Sequence, residues 1–284
     1  MSDTATLLVW CPDQRGLVAA ISDFVFRNGG NILHADQHTD IEAGMFLARV
    51  EWELEGFEIP RERIGERFRN VACNFGMNFE LFFSDRPSKL AIFTSKLPHC
   101  LQDLLLRREA GELQADFALI VSNHPDHREI AEAHGIEFLH FPITPENKAR
   151  QEAAELAALR ERGIELVVLA RYMQILSPAF VAEFPNQMIN IHHSFLPAFV
   201  GAQPYHQAYQ RGVKLIGATS HYVTTVLDDG PIIEQEVTRI SHRDTVEDLI
   251  RKGRDLEKMV LARAVRLHLR HRVLTYGNKT VIFD

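Results

Sequence analysis

From residue 90 onward, short apolar segments alternate with amphipathic segments, and this alternation constrains the fold more than any other feature of the sequence. The apolar segments predict strands at residues 90–94, 117–122, 137–141, 166–170 and 188–191. Runs with helical spacing lie between them, at residues 101–108, 126–134 and 146–162. Strands that alternate with helices form parallel sheets covered by helices. The sequence therefore predicts an α/β domain with a mostly parallel sheet.

The end of this domain follows a different pattern. Residues 214–226 and 231–240 read as two longer strands that suit antiparallel pairing, and residues 245–272 read as one long closing helix. Gly253 lies inside that helix and is expected to divide it, because glycine is a poor helix former.

The first part of the chain predicts a second, smaller domain. Its elements follow the order β-α-β-β-α-β, which is the split ferredoxin-like pattern of an α+β domain. Strands are expected at residues 6–10, 31–40, 45–54 and 77–83, and helices at 17–27 and 61–74. Residues 84–89 are polar and include Pro87, as linkers often do. The predicted domains are therefore residues 1–84 and 90–284, joined by a linker at 85–89.

Composition excludes several classes of protein. The 284 residues carry a net charge of −7, which argues against binding to nucleic acid or to an anionic membrane. The three cysteines are far apart and form neither a disulfide framework nor a zinc motif. Neither a signal peptide nor an apolar segment long enough to span a bilayer is recognisable. These features predict a cytoplasmic protein.

Polar residues at two strand-like segments form the candidate catalytic site. Asn190 and His192 are two residues apart, so on a strand their side chains share one face. Amide and imidazole groups can stabilise the oxyanion formed when a carbonyl is attacked. Asp228 follows the second strand-like segment, in Leu-Asp-Asp-Gly-Pro. Each residue also has a plain structural reading, as a loop amide, a buried histidine and a turn aspartate.

Two other kinds of site are disfavoured. The segment after the first strand of the α/β domain, residues 95–99, has no glycine and contains Pro98, so it is a poor phosphate loop. Histidines are frequent in the second half of the chain, but their spacing matches no familiar metal motif. No metal site is predicted.

Four motifs together resemble the folate-dependent formyltransferases. They are residues 169–177 (LARYMQILS), 189–192 (INIH), 219–223 (TSHYV) and 227–231 (LDDGP). This resemblance covers about residues 89–284. Residues 191–199 and 201–208 are most similar to formyltetrahydrofolate deformylases, whose N-terminal ACT domain resembles the segment around 12–17.

The resemblance implies a function and a set of site residues. It implies a Rossmann-like formyltransferase domain that hydrolyses 10-formyltetrahydrofolate to tetrahydrofolate and formate, with no cofactor. The formate would supply purine synthesis and the reaction would balance one-carbon pools. By resemblance, the catalytic residues are Asn190, His192 and Asp228, and the folate-binding residues are Met173, Gln174 and Leu176.

Two alternatives to hydrolysis remain open. The enzyme would otherwise transfer the formyl group to an amine, although the glycine-poor segment at 95–99 argues against a phosphorylated amine. A protein of another class would sense folate or an amino acid without turnover.

The ACT resemblance implies regulation or assembly. ACT domains often bind an amino-acid effector, and the candidate positions are Asp13, Arg15, Gly16 and Asn31. The same turn would equally serve only to begin a helix in a domain that dimerises. Exposed edge strands in such a domain favour a homo-oligomer.

Overall fold

The computed structural model describes residues 3–198 and 204–284, which belong to two compact units. The first unit contains residues up to 87 together with 271–274 and 281–284, and the second contains residues 88–270 and 275–280. The sequence assigned all of 90–284 to one domain. The two late segments join the first unit because the Arg49 side chain donates to the His271 carbonyl at 3.0 Å and the ring of Phe82 stacks on that of His271.

The first unit has the ferredoxin-like order that the sequence predicts. Its elements are β1 Thr4–Pro12, α1 Leu17–Arg27, β2 Ile32–Asp40, β3 Met45–Glu53, α2 Arg61–Phe75 and β4 Asn78–Phe83. The four strands form an antiparallel sheet in the order β2-β3-β1-β4. Apolar residues of both helices, among them Ile21 and Phe68, pack with Leu7, Val50 and Trp52 of the sheet.

The second unit contains the predicted parallel sheet. Its first elements are β5 Lys89–Thr94, α3 His99–Glu109, β6 Asp116–Ser122, α4 Arg128–Ala133, β7 Glu137–His140, α5 Lys148–Arg162 and β8 Leu166–Ala170. They are followed by α6 Pro178–Val181, β9 Met188–His192, α7 Pro204–Arg211, β10 Leu215–Tyr222, β11 Ile232–Arg239 and α8 Val246–Leu269. The sheet order is β11-β10-β9-β8-β5-β6-β7, with β10 and β11 antiparallel.

The structure corrects three details of the sequence interpretation. Helix α8 is continuous, so Gly253 does not divide it. A Cβ at Gly253 would lie 2.1 Å from the Tyr205 hydroxyl oxygen, so the glycine serves a close contact. Helices α6 and α7 were not predicted, and neither was the hairpin of β12 Val273–Tyr276 and β13 Lys279–Ile282. Within the described residues, no helix is both long and apolar enough to cross a membrane.

The topology fixes where polar groups can gather. Strands β5, β8 and β9 are neighbours and run parallel, so their carboxyl ends lie at one edge of the sheet. Ligands of open α/β sheets bind outside this edge. Strand β9 ends there at His192, and Arg171 directly follows the end of β8.

Candidate active site

Four polar residues share one face of the sheet around the end of β9. Asn190 and His192 are two residues apart on this strand, as predicted, and therefore point to the same side. The antiparallel neighbour β10 places His221 opposite Asn190 and Thr219 opposite His192. Because residues directly opposite one another in a ladder share a face, β10 adds an imidazole and a hydroxyl to the pair.

His221 orients the amide of Asn190. Its Nδ1 lies 2.9 Å from the carbonyl oxygen of Tyr222, which can only accept a hydrogen bond, so Nδ1 carries a proton. In the neutral ring Nε2 is then an acceptor, and Nδ2 of Asn190 donates to it at 3.2 Å. The amide is therefore held with its nitrogen toward β10.

Asp228 reaches the same group from a loop. The sequence placed Asp228 just after a strand that ends at residue 226. Strand β10 instead ends at Tyr222, so Asp228 lies in a loop six residues further along the chain. Its backbone has a left-handed φ of 55°, which few non-glycine residues adopt. Its two carboxylate oxygens lie 3.2 Å from His192 Nδ1 and 3.6 Å from His221 Nε2. Hydrogen bonding to His192 is the largest cause that holds the pKa of Asp228 well below its usual range.

Gly230 allows this loop to close. A Cβ at Gly230 would lie 1.7 Å from the carbonyl oxygen of Tyr222. The loop therefore needs glycine two residues after Asp228, which gives the Leu-Asp-Asp-Gly-Pro motif a geometric reason.

His192 presents one unpaired nitrogen. Its Nδ1 faces Asp228, whereas its Nε2 is buried and has no hydrogen-bond partner among the described residues. Buried polar atoms are normally paired, so an unpaired one marks a place where a ligand or water completes the bonding. The imidazole can therefore exchange a proton with a bound molecule through Nε2 while the carboxylate holds its other side.

The turn after His192 is fixed from β10. The hydroxyl of Thr219 donates to the Ser194 carbonyl at 2.9 Å and accepts from the Leu196 N–H at 3.0 Å. It also accepts from the side-chain amide of Gln235 at 2.9 Å. These contacts fix the backbone that directly follows the catalytic strand. The resembling segment continues through residues 199–203, which lie outside the described residues.

The predicted folate loop follows β8, and its three candidates differ in environment. Met173 is exposed, Gln174 is half-buried and Leu176 is buried in the core, so only the backbone of Leu176 can face a ligand. The N–H of Met173 donates to the Ser95 hydroxyl at 2.9 Å. Ser95 in turn donates to Asn123 at 2.7 Å. Ser95, in the segment 95–99, therefore helps to hold the loop after β8 in place.

Helix α5 holds this loop from below. The Tyr172 hydroxyl donates to Glu155 at 3.1 Å, and the Ser177 N–H donates to Glu152 at 3.1 Å. The Lys148 ammonium donates to the Ile175 carbonyl. Burial raises the pKa of Glu155 to about 7, and one of its oxygens is buried with no hydrogen-bond partner in the part of the chain that the structure describes.

A second buried polar group lies at the same edge of the sheet, and sequence reasoning missed it. We call it the Glu257 cluster; its members are Glu257, His99, Arg171 and Tyr205. Glu257 is 1% exposed, accepts from the Tyr205 hydroxyl at 2.6 Å and lies 2.8 Å from Nε2 of His99. The Arg171 Nε lies 3.4 Å from the same carboxylate. These residues come from four separate elements, so no local motif marks them.

Arg171 carries two costs in this position. Its backbone φ is 62°, a left-handed conformation that costs a non-glycine residue about 1 kcal/mol. Its side chain is only 11% exposed, and its Nε makes no well-formed hydrogen bond with residues 3–198 or 204–284. Burial lowers the pKa of the nearby His193 to about 4, and the charge of Arg171 adds to this effect, so His193 is neutral at pH 7.

The Glu257 cluster also contains the one group of potential metal ligands found among the described residues. These are His99, Cys100 and Glu257, whose ligand atoms lie within 4.8 Å of one another. Both carboxylate oxygens already have partners, and Arg171 places a positive charge beside them. Burial keeps the pKa of Cys100 well above its usual value, so the thiol is protonated. This donor set is poorly suited to a cation.

The structure separates the four predicted effector residues. Asp13 and Gly16 line a cavity of about 340 Å³ in the first unit, together with Gln14, Gln37 and Thr39. Arg15 and Asn31 are not among its lining residues, and Asn31 donates to Glu53 instead.

Comparison with known proteins identifies the family. Residues 88–265 match the family model described as formyl transferase, and residues 5–73 match the ACT domain. A formyltetrahydrofolate deformylase of Synechocystis sp. is 59% identical over 280 residues, which cover 99% of this chain and 98% of that protein. The chain belongs to the formyltetrahydrofolate deformylase family. This confirms the resemblance, the α/β class and the ACT domain predicted from sequence.

Solved structures agree with the deformylase family. A formyltetrahydrofolate deformylase from Pseudomonas syringae pv. tomato is 46% identical and superposes with a TM-score of 0.98, covering 100% of this chain and 95% of that one. A glycinamide ribonucleotide transformylase from Symbiobacterium toebii is 32% identical with a TM-score of 0.67, covering 72% of this chain and 98% of that one. The deformylase structure therefore matches the whole of this chain, whereas the transformylase structure matches only part of it.

Proposed function

We propose that this protein hydrolyses 10-formyltetrahydrofolate to tetrahydrofolate and formate. Membership of the deformylase family supports the substrate and the reaction. The observation that carries the proposal to particular atoms is the unpaired, buried Nε2 of His192, backed by Asp228. A hydrolase needs such a group to move a proton between water and a nitrogen leaving group.

In the proposed reaction, the oxygen of water bonds to the formyl carbon as His192 Nε2 takes one of the water protons, and the carbonyl oxygen becomes negative. The Asn190 amide and His192 Nε2 stabilise this oxyanion, which exists only along the reaction path. The carbon–nitrogen bond then breaks, its electron pair stays on the folate nitrogen, and a proton from the imidazolium of His192 neutralises that nitrogen. The second water proton passes from the resulting formic acid to solvent, so the products are tetrahydrofolate and formate.

The low pKa of Asp228 refines its role. A carboxylate held ionised by the His192 imidazole is a weaker base than an ordinary aspartate, so it removes protons poorly. We assign Asp228 to orienting the water and stabilising the charged form of His192.

Exposed apolar side chains suit a folate ring system. Met173 and Ile175 of the loop after β8 are exposed, as are Val226 and Leu227 of the Asp228 loop. Ligand sites are lined mainly by apolar groups with a few polar ones. Val226 and Leu227 therefore join Met173, Gln174 and the Leu176 backbone as proposed folate contacts.

The central test compares Asp228→Asn with Asp229→Asn. Asp229 is the exposed neighbour, so its variant controls for a lost charge in the same loop. We expect Asp228→Asn to lower formate release from 10-formyltetrahydrofolate by at least 100-fold, and Asp229→Asn to change it less than twofold. Near-normal formate release by a folded Asp228→Asn variant would sink the assignment.

We propose that the cavity of the first unit binds an amino acid. Helix α1 begins beside it without a side-chain cap, so its first N–H groups are free to bind a carboxylate. Asp13 supplies a negative charge for the ammonium group. Equilibrium dialysis against each amino acid should show binding that Asp13→Asn weakens and the exposed control Asp36→Asn does not. Failure of every amino acid to bind would remove the proposal.

We also propose a homo-oligomer that pairs through the first unit. Strand β2 is an edge strand whose nine residues are all exposed or half-buried. Unpaired edges favour pairing with another copy. Sedimentation of the wild type and of Gln37→Pro should show an oligomer and a smaller species respectively, and a wild-type monomer at micromolar concentration would exclude it.

A further inference from the structure

The Glu257 cluster lies beside the proposed reaction site. Arg171 follows the end of β8 and His99 begins the helix after β5, so both stand at the sheet edge where β9 ends at His192. The His193 ring bridges the two groups. Its centre lies 5.0 Å from the His192 ring and 6.2 Å from the ring of Tyr205.

Space at this edge of an open α/β sheet normally receives a ligand. In this chain it is filled by protein. Glu257 of α8 accepts from Tyr205 of α7 at 2.6 Å and lies 3.4 Å from the Nε of Arg171, in the loop after β8. Gly253 permits the arrangement, because any side chain there would meet the Tyr205 ring.

Backbone strain and burial at Arg171 point to a purpose at the site. The left-handed φ of 62° suits glycine, and the chain nevertheless holds a buried arginine there. Residues held in unfavourable conformations cluster at functional sites. Glu257 compensates only part of the cost, since the Arg171 Nε has no well-formed hydrogen bond to any described residue.

We infer that Arg171, held by Glu257, closes the acceptor side of the active site, so that water is the only nucleophile that reaches the formyl carbon. The inference rests on the proposed hydrolysis. It makes Arg171 a specificity-determining residue, and Glu257 and Tyr205 its positioning residues. Water needs only about 30 Å³, whereas an amine acceptor needs the volume that Arg171 fills.

The inference predicts that removing the side chain admits an amine. In Arg171→Gly, the nitrogen of glycinamide would bond to the formyl carbon and the folate carbon–nitrogen bond would break. The amine's proton would pass to the folate nitrogen, which gives N-formylglycinamide and tetrahydrofolate. Glycine suits φ 62°, so this variant should fold.

The experiment measures formate and N-formylglycinamide from 10-formyltetrahydrofolate with 100 mM glycinamide. We expect the wild type to yield formate alone, and Arg171→Gly to raise the ratio of formylated amine to formate at least tenfold. Methylguanidine should reverse this by refilling the space. Asn186→Gly is the matched control, because it relieves a φ of 54° at an exposed residue.

Each outcome is decisive. A folded Arg171→Gly variant that yields formate alone, with no response to methylguanidine, would overturn the inference. If that variant does not fold, Glu257→Gln, which frees Arg171, must shift the same ratio, and formate alone again overturns it. A wild type that releases no formate without an amine would instead refute the proposed hydrolysis.

Discussion

The imidazoles of His192 and His221 and the carboxylate of Asp228 have different roles in the candidate site. His221 uses Nδ1 on a backbone carbonyl and Nε2 on Asn190, so its role is to orient other groups. Nε2 of His192, in contrast, has no hydrogen-bond partner within the described part of the chain. The two rings lie on adjacent strands and both face Asp228. They differ because the other contacts of His221 are made by the protein itself, whereas Nε2 of His192 is left for a ligand.

Glu155 gives the proposed folate loop a dependence on pH. It is buried under the loop, with the Tyr172 hydroxyl as donor and the carboxylate of Glu152 nearby on the same helix. Burial raises its pKa from the ordinary 4.5 to about 7, so the folded protein binds this proton more tightly than the unfolded chain. The wild type therefore loses stability as pH rises from about 4.5 to 7, and this loss is complete above that range.

We predict that Glu155→Gln removes this loss. Glutamine keeps an oxygen that accepts from Tyr172 and cannot ionise. Its stability relative to the wild type should rise with pH between 5 and 7, by up to about 1.4 kcal/mol per pH unit. Thermal unfolding at several pH values measures this, with the exposed Glu161→Gln on the same helix as control. Parallel curves for Glu155→Gln and the wild type would contradict the prediction.

Some residues of the candidate site could be predicted from the sequence, and others could not. Asn190 and His192 could be paired because two residues on one strand share a face. Arg171 and Glu257 lie 86 positions apart (257 − 171) on a loop and a helix. Only the folded topology brings them together, so neither spacing nor composition could have marked them.

Two glycines within helices, Gly253 and Gly65, differ in the space that each leaves for an alanine side chain. Gly253 lies within α8, where a Cβ would be 2.1 Å from the Tyr205 hydroxyl. Gly65 lies within α2, where the nearest atom to a Cβ would be 4.0 Å away, on Leu81. Helix propensity favours alanine at both positions by about 1 kcal/mol.

We predict that Gly253→Ala destabilises the protein by about 2 kcal/mol, because the steric cost of overpacking exceeds the helix gain. Gly65→Ala should instead stabilise it by about 0.5–1 kcal/mol. Chemical denaturation measures both. Equal effects of the two substitutions would mean that the Tyr205 contact imposes no constraint.

Elements with a clear repeat were predicted well and the others were not. The parallel strands were visible as apolar segments because they are buried on both faces. Helix α7 is short, and its buried face is Tyr205 and Ala208, too few residues to show a period. The strand predicted at 214–226 ends early, because the chain leaves the sheet after Tyr222 to form the Asp228 loop.

For the whole molecule, the first unit depends on a late segment of chain. The Arg49 side chain donates to the His271 carbonyl, and the Phe82 and His271 rings stack with centres 3.6 Å apart. Both tryptophans of the chain, Trp10 and Trp52, lie in this unit. Tryptophan fluorescence therefore reports on the unfolding of this unit.

We predict that His271→Ala lowers the stability seen by tryptophan fluorescence by about 1 kcal/mol, which is the usual contribution of an aromatic pair. Alanine meets the same left-handed backbone at this position, so the lost ring is the main change. His242→Ala, an exposed change in the second unit, is the control and should leave the transition in place. An unaltered transition in His271→Ala would show that the stacked ring adds nothing.

This dependence has a consequence for synthesis on the ribosome. Arg49 and the carbonyl that it binds are 222 residues apart. At about 5–20 residues per second, the partner is made roughly 10–45 s after Arg49. During that interval the nascent first unit lacks the His271 carbonyl that accepts from Arg49 and the His271 ring that stacks on Phe82, while residues up to 270 are being translated. The first unit to begin folding is thus among the last to be completed.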